Sequence, residues 1–123
     1  MRHKDFYCIC AANTWGYGSS EYAGRNVLDA AFLDRFPSSR LLVGYDTELE
    51  SMLSTSHPDV AKIIWKIRKN VTDTKVKRVV STRAIISGCI ALTDGDTMKQ
   101  FVDDFTCGWT EEEKKKALNG VAI

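Results

Sequence analysis

Two kinds of hydrophobic pattern divide the chain. Short apolar runs of strand length occur at 6–12 and 40–45. From His57 onward the apolar residues instead recur every three or four positions, which is the spacing of one buried helical face. The pattern therefore predicts strands in the first part of the chain and a bundle of amphipathic helices in the second.

The first part predicts two strands with a helix between them. The run 6–12 ends at Asn13 and leads into a loop containing glycine and serine, as expected where a buried strand reaches the surface. Asn26 is a typical helix cap, and Pro37 ends the helix that follows it. The second strand is predicted at 40–45.

The second part predicts a short helix in a linker and then a helical bundle. Two segments have capping-box patterns, Thr47 with Glu50 and Thr110 with Glu113, and each marks the start of a helix. Pro58 suits a first helical turn. Helices are predicted at 47–53, 57–69, 82–92, 96–105 and from Thr110 onward.

Composition narrows the classes of function only slightly. A chain of 123 residues has the size of one domain, and its net charge of +1 gives no whole-surface argument for nucleic acid, an anionic membrane or an acidic partner. No apolar run reaches membrane-spanning length and no secretory signal follows the start, so a cytoplasmic location is expected. The four cysteines and two histidines lack the spacing of a zinc site, so no metal site is predicted and the thiols should be reduced and mostly buried.

Three short motifs occur in an order that suggests a specific family. Asn13 follows the first strand, Leu33-Asp34-Arg35-Phe36 ends the helix after it, and Ser81-Thr82-Arg83 opens a later helix. Together they resemble the C-terminal half of a AAA+ ATPase, in the branch of the MoxR-type ATPases, the cobalt-chelatase ATPase subunit and the dynein-related proteins. The resemblance covers most of the chain.

The resemblance implies a role for each of three residues. Asn13 matches sensor 1, which orients the attacking water or contacts the γ-phosphate. Arg35 matches the arginine finger, which stabilises the γ-phosphate of a neighbouring subunit and can accelerate hydrolysis about a thousandfold or more. Arg83 matches sensor 2, which contacts the γ-phosphate in its own subunit from the helical lid. Asn13 and Arg35 are thus the expected catalytic residues, and Arg83 the expected nucleotide-binding residue.

The chain also departs from the family pattern. It contains no Gly-x-x-x-x-Gly-Lys-Ser/Thr segment, so the loop that holds the phosphates is missing. The segment 41–48 superficially resembles a Walker B strand, but it follows the sensor 1 strand and corresponds better to the last strand of the core. ATP and Mg²⁺ would be bound mainly by a missing N-terminal half, and this chain alone should be inactive and should bind neither tightly.

The expected fold is an α/β fragment that is mainly α. Two strands and a helix from the C-terminal part of a AAA+ core would occupy 1–45, a linker 46–56, and an α-helical lid bundle 57–123. The implied partners are the missing AAA+ half, further copies in a ring, and an unidentified protein substrate that the complete ATPase remodels. Both strands would have unpaired edges, so the isolated chain should dimerise, exchange strands or require its N-terminal half.

Each motif also has a simpler interpretation. Asn13 could be a turn residue, Arg35 a cation at a helix C-terminus, and Arg83 a surface cation in a first helical turn. Arg25 is either a second contact to a neighbouring subunit or a loop charge. The basic residues between Lys66 and Arg78 are interpreted as a solvated face. The alternative function is a non-enzymatic helical module that binds protein or nucleic acid.

Overall fold

The computed structural model describes residues 3–7, 9, 11, 34–36 and 41–123. The chain forms two compact units, Met1–Leu42 and Val43–Ile123. Most of the described residues belong to the second, which we call the helical unit. In the first unit, the described N-terminal residues include a turn in which the Phe6 amide donates to the His3 carbonyl oxygen at 3.0 Å.

The helical unit contains five helices. They are α1 (Thr47–Leu53), α2 (Pro58–Asp73), α3 (Thr82–Thr93), α4 (Met98–Phe105) and α5 (Glu111–Ala117). The predicted helices at 47–53 and from Thr110 onward are confirmed, and the helix predicted to end near Lys69 extends one turn further. Val71 is buried on the same face as Ile64 and Ile67, so the apolar stripe continues through that extra turn.

Side chains just before three of the helices bind the free amides of the first turn. Thr97 and Thr110 form complete capping boxes with Gln100 and Glu113, and the second of these was predicted. At α1, however, Asp46 is the cap, since its Oδ1 accepts from the amides of Glu48 and Leu49 at 3.0 Å each. The capping box predicted for Thr47 and Glu50 is therefore wrong, and the Glu50 carboxylate lies elsewhere.

The core is organised around α2. This helix packs against α1, α3 and α5, and α3 packs in turn against α1 and α4. The fully buried apolar side chains are Val60, Ile64, Ile67, Ile85 and Val102. Close packing of α3 requires Gly88, because a Cβ there would lie 2.6 Å from Val60 Cγ1 and 2.8 Å from the Phe101 ring.

The predicted α/β fold is wrong for the described residues, which contain helices and no strand. Residues 6, 7, 9, 11 and 41–45 are non-helical and unpaired in any sheet, and Tyr7, Ile9 and Leu41 are more than 80% exposed. An apolar run indicates burial, but a strand forms only when its backbone groups bond to a neighbouring strand. The described residues of the two runs therefore belong to no sheet. The expectation of pairing through strand edges loses its basis.

Two further predictions concern the segments around these runs. The helix predicted between Asn26 and Phe36 lies outside the described residues except for 34–36. The segment 46–56, interpreted as a linker, contains α1, which packs against α2 and α3. In the part of the chain that the structure describes, no helix combines the length and apolar character needed to cross a membrane.

Candidate functional site

Only one of the three predicted site residues lies in the helical unit. Asn13 lies outside the described residues. Arg35 is described and exposed, and it belongs to the unit Met1–Leu42. Arg83 is the second residue of α3, where its side chain is exposed. The candidate site can therefore be built in atomic detail around Arg83.

The start of α3 is open on its solvent side. Ser81 is the N-cap residue and has extended backbone, but its side chain makes no capping hydrogen bond. The first amides of a helix have no acceptor within it, and they leave a partial positive charge at that end. Arg83 adds a full positive charge to the same turn, and it has no ion pair with any residue that the structure describes.

Beneath this open turn lies a buried carboxylate. Glu50 of α1 is 0% exposed, and its two oxygens accept four hydrogen bonds. Oε1 accepts from Thr82 Oγ1 at 2.7 Å and from Arg68 Nη2 at 2.7 Å. Oε2 accepts from Trp65 Nε1 at 2.6 Å and from Arg68 Nη1 at 3.0 Å. The cluster thus connects α1, α2 and the first residue of α3.

Arg68 is held on three sides. Besides its two bonds to Glu50, its Nε donates to the Val80 carbonyl oxygen at 2.8 Å. Its guanidinium also stacks on the Tyr45 ring, with Cζ 3.8 Å from the ring centroid. A planar guanidinium that is bound at Nε, Nη1 and Nη2 has one orientation only, so Arg68 is fixed in place.

The environment keeps Glu50 ionised. Burial on its own raises the pKa of a carboxyl group, but hydrogen bonds from Arg68, Thr82 and Trp65 together outweigh that effect and hold the pKa of Glu50 below its usual value. Every donor that faces the carboxylate stabilises its charged form. The cluster is therefore a satisfied buried ion pair, and Glu50 has no lone pair left to act as an acid or base on a ligand.

A second feature is a shallow apolar groove between α1 and α3. Its volume is about 460 Å³, and Leu53, Ile86 and Ile90 line it with Cys89 at its base. Burial raises the pKa of the Cys89 thiol, with a hydrogen bond to Ser56 acting in the opposite direction, so the thiol is not activated. The other described cysteine, Cys107, is exposed, so the prediction of mostly buried thiols is not met at that position.

Two residues of the cluster were not predicted from the sequence. Arg68 was included in a solvated basic face, yet it falls four residues after Ile64 and three before Val71, on the buried stripe of α2. That spacing was the available signal. Glu50 offered none, because in α1 the charged Glu50 is fully buried while Leu49 and Met52 are exposed.

Comparison with known proteins does not assign the site. No protein-family model matches the chain, and neither the curated proteins nor the solved structures contain a match. Within residues 3–7, 9, 11, 34–36 and 41–123, no three histidine, cysteine, aspartate or glutamate side chains are grouped as metal ligands. The chemistry of the site is therefore argued from Arg83 and the turn that carries it.

Proposed function

We propose that the helical unit is the lid of a AAA+ ATPase and that Arg83 binds the terminal phosphate of ATP. The observation that carries the proposal is an exposed arginine that has no ion pair with any described carboxylate and lies in a first helical turn without a side-chain cap. The Ser81-Thr82-Arg83 motif gives the same residue the sensor 2 position. In the complete protein, ATP hydrolysis would drive the remodelling of a partner protein, and the missing half would bind Mg²⁺ and the rest of the nucleotide.

The electrostatics of this turn favour an anionic ligand. A cation in the first turn of a helix is unfavourable by a few tenths of a kcal/mol, since it lies at the positive end of the helix dipole. A phosphate group there would pair with the guanidinium in charge-assisted hydrogen bonds and would accept from the open amides as well. Pairing with the guanidinium and bonding to the open amides both favour a negatively charged ligand, and a phosphate group can do both.

Asn13 and Arg35 keep their predicted roles within this proposal. Asn13 would orient the attacking water, and Arg35 would stabilise the γ-phosphate bound by the adjacent subunit of a ring. In the complete ATPase, Arg35→Ala should remove most turnover while leaving ATP affinity nearly unchanged. An unchanged turnover rate would reject the arginine-finger role.

The proposal is tested by titrating the isotope-labelled chain with ATP and following its NMR spectrum. With one arginine and no phosphate loop, we expect a dissociation constant on the order of 1 mM, equivalent to about −4 kcal/mol. The largest shifts should occur at the amides of Thr82 and Arg83 and should disappear in Arg83→Ala. Shifts that survive in that variant, or that centre on another helix, would refute the phosphate role.

The matched control is Lys99→Ala. Lys99 is exposed and is likewise the second residue of its helix, α4, but there the Thr97 hydroxyl accepts from the Gln100 amide and the Gln100 side chain accepts from the Thr97 amide. We expect Lys99→Ala to leave the ATP titration unchanged. Arg83→Ala should also keep its thermal unfolding temperature, because the Arg83 side chain is exposed.

The second candidate is a helical module that binds another protein through the apolar groove. The observation favouring it is the exposure of Leu53, Ile86 and Ile90 around one groove, which suits protein better than nucleic acid. The test is to select displayed peptides that bind the unmodified chain and then to measure their binding to the Ile90→Asp variant. Peptides that bind only the unmodified groove would support this function, and equal binding to both proteins would reject it.

A further inference from the structure

The two residues that flank Ser81 are both tied to the buried ion pair. The Val80 carbonyl oxygen accepts from Arg68 Nε at 2.8 Å, and the Thr82 hydroxyl donates to Glu50 Oε1 at 2.7 Å. Arg83 follows Thr82 directly. The backbone that carries the exposed arginine is thus bound on one side by the cation and on the other by the anion of a single pair.

Stability alone does not account for this arrangement. Placing a carboxylate and a guanidinium in the interior costs about as much desolvation free energy as their attraction returns, and well-packed apolar side chains often stabilise a core equally well. What an ion pair adds is direction, because each of its hydrogen bonds restricts an angle as well as a distance. Here two of those hydrogen bonds converge on the short segment from Val80 to Thr82.

The surroundings make the pair rigid. Glu50 and Arg68 lie on α1 and α2, two helices that pack against each other, and Trp65 and Tyr45 contact opposite members of the pair. The Val80 side chain is itself buried in the core. The start of α3 therefore has little freedom to tilt relative to α2.

We propose that Glu50 and Arg68 are positioning residues for Arg83, with the Thr82 hydroxyl as the connection between the buried pair and the phosphate-binding turn. The identity of the ligand rests on the proposed function, while the positioning of the turn rests on the hydrogen bonds. A preorganised arginine loses less freedom when the phosphate binds, and its affinity rises for that reason.

The sharpest test changes only the connection. Thr82→Val keeps the shape of the side chain and removes its bond to Glu50, which still accepts three bonds from Arg68 and Trp65. Thr82→Ser restores a hydroxyl. In the full-length chain, ATP affinity is measured by NMR titration, and the mobility of the turn is measured without ATP from hydrogen exchange of the Ala84 amide, which donates to the Ser81 carbonyl oxygen at 3.0 Å.

We expect Thr82→Val to weaken ATP binding about three- to tenfold, the value of one hydrogen bond, and to accelerate exchange of the α3 amides. Thr82→Ser should recover both properties. The matched control is Thr106→Val, which removes the hydrogen bond of a fully buried hydroxyl elsewhere, from Thr106 Oγ1 to the Val102 carbonyl oxygen in α4. It should lower the unfolding temperature without changing ATP affinity.

The outcomes separate this inference from the proposed function. If the unmodified chain binds ATP at Arg83 and Thr82→Val binds it equally well, the positioning role is overturned and the phosphate role stands. If the unmodified chain does not bind ATP but Thr82→Val accelerates exchange in the turn, the phosphate role fails and the positioning of the turn is supported. If Thr106→Val weakens ATP binding as much as Thr82→Val does, the effect is due to a general loss of stability and the inference is overturned.

Discussion

The starts of α3 and α5 both lie beside an arginine–glutamate pair, but they are completed in different ways. At α5 the Thr110 hydroxyl accepts from the Glu113 amide, and the Glu113 carboxylate accepts from the Thr110 amide and from Arg78. At α3 the side chain of Ser81 makes no capping bond, and a carboxylate from α1 holds the first helical residue instead. The first turn of α5 therefore has a side-chain cap, whereas the first turn of α3 has none.

The charged residues in the first turns of α5 and α3 also differ. The first turn of α5 contains Glu111, Glu112 and Glu113, which match the positive end of the helix dipole. The first turn of α3 contains no acidic residue and includes Arg83, whose charge has the opposite sign. Acidic side chains thus match the dipole at the start of α5, and none do so in the first turn of α3.

The largest difference should appear on removal of the two carboxylates. Glu50→Ala leaves Arg68 buried without its partner, so we expect the free energy of unfolding to fall by about 3–5 kcal/mol. Glu113→Ala should cost clearly less, because Arg78 is about one-third exposed and can be solvated. Urea unfolding measures both, with the exposed Glu48→Ala as the control in α1. Equal losses for Glu50 and Glu113 would remove the distinction between the two pairs.

Acid should distinguish the pairs next. Arg78 and the Thr110 amide lower the pKa of Glu113 from 4.5 to about 2. A carboxyl group with a lowered pKa in the folded state stabilises the fold above its unfolded pKa, and this stabilisation is lost as the pH falls from about 4.5 towards 2. Glu113→Gln removes that contribution and should flatten the dependence of unfolding temperature on pH in this range.

Some acid sensitivity should remain in Glu113→Gln, since the pKa of Glu50 is also lowered. Its contribution has the same sign and is likewise lost on acidification. Thermal unfolding of both proteins between pH 2 and pH 7 provides the comparison. Parallel curves for the unmodified chain and Glu113→Gln would contradict the role assigned to the Arg78 pair.

The smallest expected effect concerns the two cap residues. Thr110→Ala removes a hydroxyl that accepts from the Glu113 amide, and we expect a loss of about 1 kcal/mol. Ser81→Ala should change stability by no more than a few tenths of a kcal/mol, because the Ser81 hydroxyl makes no capping bond. Thermal unfolding of the two variants measures the difference. A loss in Ser81→Ala that matches Thr110→Ala would mean that the start of α3 is capped like that of α5.

The sequence predicted the helical unit better than the rest of the described chain. Helical spacing identified α2 and α3, and local capping chemistry identified the start of α5, because both signals lie within a few residues of the feature they specify. The predicted strands failed because strand formation depends on a partner elsewhere in the chain. The position of Arg83 at the start of a helix was predicted correctly, and its phosphate-binding role stays a prediction.

The ion pair of Glu50 and Arg68 could be predicted from the local sequence pattern only in part. Arg68 could have been found, since it shares a stripe with Ile64 and Val71. Glu50 could not, because α1 buries this charged residue and exposes Leu49 and Met52, the reverse of an ordinary amphipathic helix. Only the three-dimensional arrangement of Trp65, Arg68 and Thr82 makes the buried position favourable for a carboxylate.

The absent side chain at Gly88 has a mechanical consequence. Val60 and Phe101 pack against the backbone of α3 at Gly88, in the middle of the helix. The hydrogen bond from Thr82 to Glu50 holds the same helix at its first turn. A helix that is held at two places along its length does not move independently of the helices that hold it. A force that displaces Arg83 should therefore move α2 and α4 together with α3.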